Sequence, residues 1–127
     1  MSRTLDIFVD FPQKIEYLIK ELELILALKF ELISDGTDNW YEFSNSTITL
    51  TVGKHDFEND QDINFEEYHY NLSIRSLNIS NELDRQKWRN DFASYVFQKL
   101  KSTERYRLML VDDLQVQLEE FVPVVKV

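Results

Sequence analysis

The chain has no cysteine, two glycines and two prolines in 127 residues. Without cysteine it can form neither a disulfide nor a thiolate metal site, which excludes the small secreted scaffolds that depend on such staples. Two glycines are too few for the phosphate-cradling loops of nucleotide-binding enzymes. So little glycine and proline also leaves no long flexible linker or low-complexity tract. No apolar run approaches the ~20 residues of a membrane-spanning helix. Residues 1–30 lack the order of a signal peptide, because Asp6 and Asp10 come early and Glu23 interrupts the apolar run from Leu22 to Leu28. No internal repeat is visible. The expectation is one soluble, cytoplasmic domain over residues 1–127, and its 43% apolar residues supply enough surface for a single core.

Bases are scarce where acids collect. Of a net charge of −9, all is generated in residues 31–67, which hold ten carboxylates (Glu31, Asp35, Asp38, Glu42, Asp56, Glu58, Asp60, Asp62, Glu66, Glu67) against Lys54 alone. The rest of the chain balances 13 acids with 13 bases. A one-sided field of this sign repels nucleic acid and anionic membranes and attracts basic proteins. Acidity also aids solubility without any partner.

Alternation of Leu5, Ile7 and Val9 with Asp6, Phe8 and Asp10 predicts a half-buried strand over Thr4–Phe11. Pro12 then suits a first helical turn, and Ile15, Leu18, Ile19, Leu22, Ile25 and Leu26 follow at helical spacing, so a helix is expected from Pro12 to about Leu28. Lys29–Ser34, Trp40–Phe43 and Thr47–Val52 read as strands, separated by an Asp35–Asp38 turn and a Ser44–Ser46 hairpin loop. Residues 53–66 read as an acidic loop. Glu67–Leu77 reads as a long strand with Tyr68, Tyr70, Leu72 and Ile74 on one face. Ser80 or Asn81 can cap a second helix, with Glu82 and Asp84 in its first turn and Lys99 and Lys101 near its end. Its expected buried stripe is Leu83, Trp88, Phe92, Tyr95, Val96 and Leu100. Tyr106–Val111 is a strand, Asp112-Asp113 a turn or bulge, and Leu114, Val116 and Leu118 a last alternating segment before an edge or frayed end at Val122–Val127. The order β-α-β-β-β-β-α-β-β implies an α+β two-layer sandwich, two helices on a mostly antiparallel sheet, in preference to a closed barrel.

The segment from Asp56 to Glu67 has oxygen-bearing side chains at positions 1, 3, 5, 7, 9 and 12, the ligand spacing of a calcium-binding EF-hand loop. Gln61 stands where the sharp turn needs glycine, and the flanks read as strands, so no metal site is expected. His55 and His69, with Asp56, could form a transition-metal site only if the fold brought them together. Ser44, Ser46 and Ser73 lack the Gly-x-Ser-x-Gly elbow of a hydrolase nucleophile. Catalytic carboxylates work from clefts that shift their pKa, whereas these crowd a polar loop. Trp40, Tyr41, Phe57, Tyr68 and Tyr70 set aromatics among the acids, the composition of a recognition surface as well as of ordinary strands. The expected partner-binding residues are Asp56, Phe57, Glu58, Asp60, Asp62, Glu66, Glu67 and Tyr68, with no catalytic residue and no cofactor.

The opening strand with its Leu-rich helix, the segment from His55 to Tyr70 (HDFENDQDINFEEYHY), and Leu110-Val111-Asp112-Asp113-Leu114-Gln115 together resemble the bacterial immunity proteins of polymorphic and contact-dependent toxin systems. The resemblance implies a protein that binds a cognate toxin, often a basic nuclease, and occludes its active site. A regulatory or adaptor subunit for another basic protein would meet the same charge argument. A divalent-metal enzyme using the clustered carboxylates is the alternative from a different class.

Overall fold

The computed structural model describes residues 4–60 and 62–124. Seven strands and two helices follow in the predicted order: β1 (Leu5–Asp10), α1 (Ile15–Leu26), β2 (Glu31–Ser34), β3 (Asn39–Ser44), β4 (Ile48–Lys54), β5 (Tyr70–Ser76), α2 (Glu82–Ser102), β6 (Arg107–Asp112) and β7 (Val116–Phe121), with a short 3-10 turn at Phe65–Glu67 between β4 and β5. The strands form one sheet in the order β2-β3-β4-β5-β1-β6-β7. Every neighbouring pair is antiparallel. Because β5 and β6 both run against β1, they are parallel to each other, and α2 joins them across the strand between.

Both helices lie on one face. Leu18, Ile19, Leu22 and Leu26 of α1 meet Leu5, Ile7, Val9, Leu50, Leu72 and Ile74 of the sheet in the main core. The helix starts at Ile15 rather than Pro12, since no side chain caps its N-terminus and Gln13 is held outside it by the Tyr70 hydroxyl, which donates to its carbonyl at 2.6 Å. The α2 N-terminus is capped by Asn81, whose Oδ1 accepts from the Leu83 and Asp84 N–H groups at 2.9 and 3.2 Å. The β2–β3 and β3–β4 turns use the same device. Asp35 Oδ1 accepts from the Thr37 and Asp38 N–H groups, and Asn45 Oδ1 from those of Thr47 and Ile48. These bonds lower the Asp35 pKa. The last hairpin turns at Asp113 and Leu114, both with positive φ, and Gln115 N–H donates to Asp112 C=O. Residues 122–124 follow β7 outside any strand, and the rest of the expected terminal edge lies outside the described residues.

Three expectations are corrected. The α2 stripe is out of phase: its buried residues are Arg89, Ala93, Val96, Phe97 and Leu100, while Leu83, Trp88 and Tyr95 are 75, 51 and 45% exposed and Phe92 is half-buried. Two apolar stripes run one residue, about 100°, apart on this helix. The sheet takes the stripe that carries Ala93, Phe97 and Leu100. Strand β1 is buried on both faces, including Phe8 and Asp6, because it lies inside the sheet with helices on one side and a folded loop on the other. Finally, β5 begins at Tyr70, and Tyr68 lies on the opposite side of the sheet from it. The 3-10 turn breaks the alternation that a continuous strand from Glu67 would have kept.

Candidate functional site

The acidic segment is not a detached loop. Ile63, Phe65 and Tyr68 turn inward and pack on Phe8, Met109 and Val111, making a second apolar cluster on the sheet face away from the helices. Rings of His55, Phe57, Phe65 and Tyr68 surround that of Phe8, with centroids 5.0, 6.1, 5.0 and 6.4 Å away. Backbone bonds between Asp60 and Ile63 tighten the loop's tip. Below the tip, Asn59 N–H donates to Glu66 Oε2 at 3.1 Å and Glu66 N–H to Asn59 Oδ1 at 2.9 Å. His55 locks the loop's two ends: Phe57 N–H donates to Nδ1 at 3.2 Å, and Nε2 lies 2.7 Å from the Tyr68 carbonyl. A carbonyl only accepts, so the ring carries its hydrogen on Nε2.

The carboxylates turn outward, and they divide into two groups. Glu67 Oε2 accepts from Arg107 Nη2 at 3.0 Å, and the same nitrogen reaches Glu120 Oε1 at 3.1 Å. The Arg107 guanidinium also sits 5.0 Å from the centre of the Tyr68 ring. Glu66 is engaged by Asn59, so these two acids brace the loop. Asp56, Glu58, Asp60 and Asp62 are exposed, and among the described residues their carboxylates have neither an ion pair nor a hydrogen bond. Phe57, 37% exposed, stacks on His55 beside them. Tyr68 corrects its expected role as a surface anchor: it is buried, its hydroxyl donates to Glu120 Oε1 at 3.4 Å, and burial pushes its pKa to about 12.

Other chemistries meet geometric obstacles. An EF-hand arrangement would need Glu67 to close around an ion, and that carboxylate is turned to Arg107; the position-six residue, Gln61, lies outside the described residues. No group of three metal-ligating side chains is present among the described residues. His69 lies apart from His55, on the β1–β5 side: its Nδ1 is 2.8 Å from Asp10 Oδ1 and 3.2 Å from the Phe11 N–H. One nitrogen cannot donate to the first and accept from the second at once. Among the described residues no serine hydrogen-bonds a histidine. No helix among them is long and apolar enough to cross a membrane.

Asp6 is the one carboxyl of the described residues that is fully buried, 2% exposed beside the second cluster. Thr4 Oγ1 donates to it at 2.7 Å and Asn71 Nδ2 at 2.8 Å, yet burial outweighs these bonds and raises its pKa. The anchors missed by sequence reasoning are Phe8, Arg107, Met109 and Glu120. Phe8 had a signal, an aromatic between Asp6 and Asp10 on the face expected to meet water. Comparison with known proteins finds no matching family model, no matching curated protein and no matching solved structure.

Proposed function

We propose that this chain is an acidic protein-binding domain, not an enzyme, that works in the cytoplasm as an immunity protein, binding and neutralising a basic, nuclease-type toxin. The observation that carries this reading is the set of four carboxylates without an ion pair among the described residues, Asp56, Glu58, Asp60 and Asp62, displayed on a loop that packs on the Phe8 cluster. Charges fixed in place before encounter need no reordering on binding. They also steer a basic partner, supporting association rates up to about 10⁸–10⁹ M⁻¹s⁻¹ at low salt. A surface of this sign placed over a nuclease active site competes with the phosphates that site is built to hold.

The test is capture of the partner from the native host followed by stopped-flow association. Replacing Asp60 and Asp62 with Asn and Glu58 with Gln should slow association and flatten its salt dependence without lowering the melting temperature. A captured partner without a basic surface, or association indifferent to salt in the parent protein, would sink the reading.

A further inference from the structure

Where β4 runs out into the acidic loop, a cleft of about 710 Å³ opens at the end of the sheet. It reaches from Glu16 in the first turn of α1, across Trp40 and Gly53, to His55 and Asp56 of the loop. Its charged lining is Glu16, Asp38 and Asp56 against Lys54, so carboxylates outnumber the base three to one. On the sheet face nearby, Glu31 and Glu42 stand directly opposite each other, next to the Ile33–Trp40 pair. Like charges so placed destabilise a sheet unless a cation comes between them. Among the described residues neither carboxylate has an ion pair or a hydrogen bond.

Gly53 is the second independent feature. A glycine inside a strand weakens it and marks a bulge, a bend or a close approach by something else. Here the pairing with β5 continues through Gly53 without a register shift, and its φ is not positive. A Cβ at this position would meet only the Trp40 Cβ, at an ordinary 3.5 Å. Neither backbone geometry nor core packing therefore requires glycine. What its missing side chain does is leave open the part of the cleft that Gly53 and Trp40 line together, in the row that leads through Asn71 to Phe8.

The geometry points to this cleft as the site that takes an arginine side chain of the basic partner, its guanidinium on Trp40 and between the carboxylates of Asp38 and Asp56. The inference rests on the binding reading above and adds an anchor to it. An indole face with flanking carboxylates selects arginine over lysine, because the planar guanidinium stacks and the ammonium is more strongly hydrated. The cleft is also of the size that binding sites occupy, ~300–1,000 Å³.

The probe is hexa-arginine amide, with hexa-lysine amide of equal charge beside it, at about 0.15 M salt to screen diffuse attraction. Binding is read from Trp40 fluorescence in a Trp88→Phe background and checked by calorimetry. Saturable binding that favours arginine is expected. Gly53→Val, which fills the space beside Trp40, should weaken it by about tenfold, within the range that loss of a desolvated cation–π contact produces. Lys54→Met should tighten it. Should Gly53→Val fold poorly, Trp40→Thr read by calorimetry gives the same answer. Absent saturation, equal affinity for the two peptides, or binding unchanged by the cleft variants would each overturn the inference. The two readings fail separately. If the captured partner binds Gly53→Val like the parent but associates slowly with the loop variant, the cleft is wrong and the loop stands. If cleft variants weaken the peptide but no basic partner is captured, the immunity reading is the one that falls.

Discussion

Truncating Phe65 to Ala tests whether the acidic loop is part of the fold. Phe65 is 3% exposed and sits 5.0 Å from Phe8 and 5.8 Å from Phe57, centroid to centroid. A buried Phe removes ~150–250 Å² from water, which at ~25 cal/mol per Å² gives an upper bound near 4–6 kcal/mol. Measured Phe-to-Ala truncations in cores cost ~3–5 kcal/mol. The loop can respond by leaving the sheet, so the loss cannot exceed its docking free energy. We expect the urea midpoint to report a loss of about 3 kcal/mol, a large share of a typical ~5–15 kcal/mol stability. Hydrogen exchange should accelerate at the Asn59, Ile63 and Glu66 amides, whose bonds hold the loop together, while amides of β1 and β5 keep their protection. A loss below ~1 kcal/mol together with unchanged exchange in the loop would refute the argument, since that is the behaviour of a surface substitution.

Phe97→Ala, at a fully buried position of α2, should cost ~3–5 kcal/mol in denaturant unfolding, and Phe92→Ala, half-buried, clearly less; the reverse ranking would put the helix in the phase expected from sequence. Asp6 has a folded-state pKa raised by burial above the ordinary 3.8, so the folded state holds this proton more tightly than the unfolded chain, and stability is lost as pH rises through that window. Asp6→Asn should remove this contribution and be at least as stable as the parent at neutral pH, as read from urea midpoints across a pH series; an Asn variant that follows the parent curve at every pH would contradict it. Calorimetric titration with calcium at about 0.15 M salt should show no saturable one-to-one site, because Glu67 is turned to Arg107 and Glu66 to Asn59; a micromolar site abolished by Asp56→Ala with Glu67→Gln would overturn that geometry.

Where one physical signal dominated, the fold was legible in the sequence. Helix α1 has a single apolar stripe, and Asn81 is a good cap before an acidic first turn, so both elements lie within a few residues of expectation. Helix α2 offers two stripes, one with the larger aromatics, Trp88, Phe92 and Tyr95, and one containing a buried arginine, Arg89. Hydrophobicity favours the first, yet the sheet buries the second. Tyr68 was misplaced because period-two reasoning assumes an unbroken strand, and the turn at Phe65–Glu67 intervenes. The outward direction of the loop acids could be read from their alternation with Ile63 and Phe65. Their division into bracing and free groups could not, since it depends on Arg107, 40 positions from Glu67 in sequence, and on Glu120 beyond it.

Six acids in residues 56–67 repel one another, with no base in the segment to relieve them. What opposes that repulsion lies beneath the loop: inward burial of Ile63, Phe65 and Tyr68, and the reach of Arg107 from β6. Crowded like charges oppose folding, and the Glu31–Glu42 opposition is of the same kind. A basic partner relieves such repulsion when it binds. One set of charges should then produce opposite salt responses. Between about 0.01 and about 1 M salt the screening length falls from ~30 to ~3 Å. Over that range the melting temperature of the free protein should rise as repulsion is screened, while affinity for the basic partner falls as attraction is screened. The loop variant with Glu58, Asp60 and Asp62 neutralised should show both slopes reduced together. A melting temperature that falls with salt would mean that attractive pairs such as Arg107–Glu67 outweigh the repulsion of the loop, and would overturn this expectation.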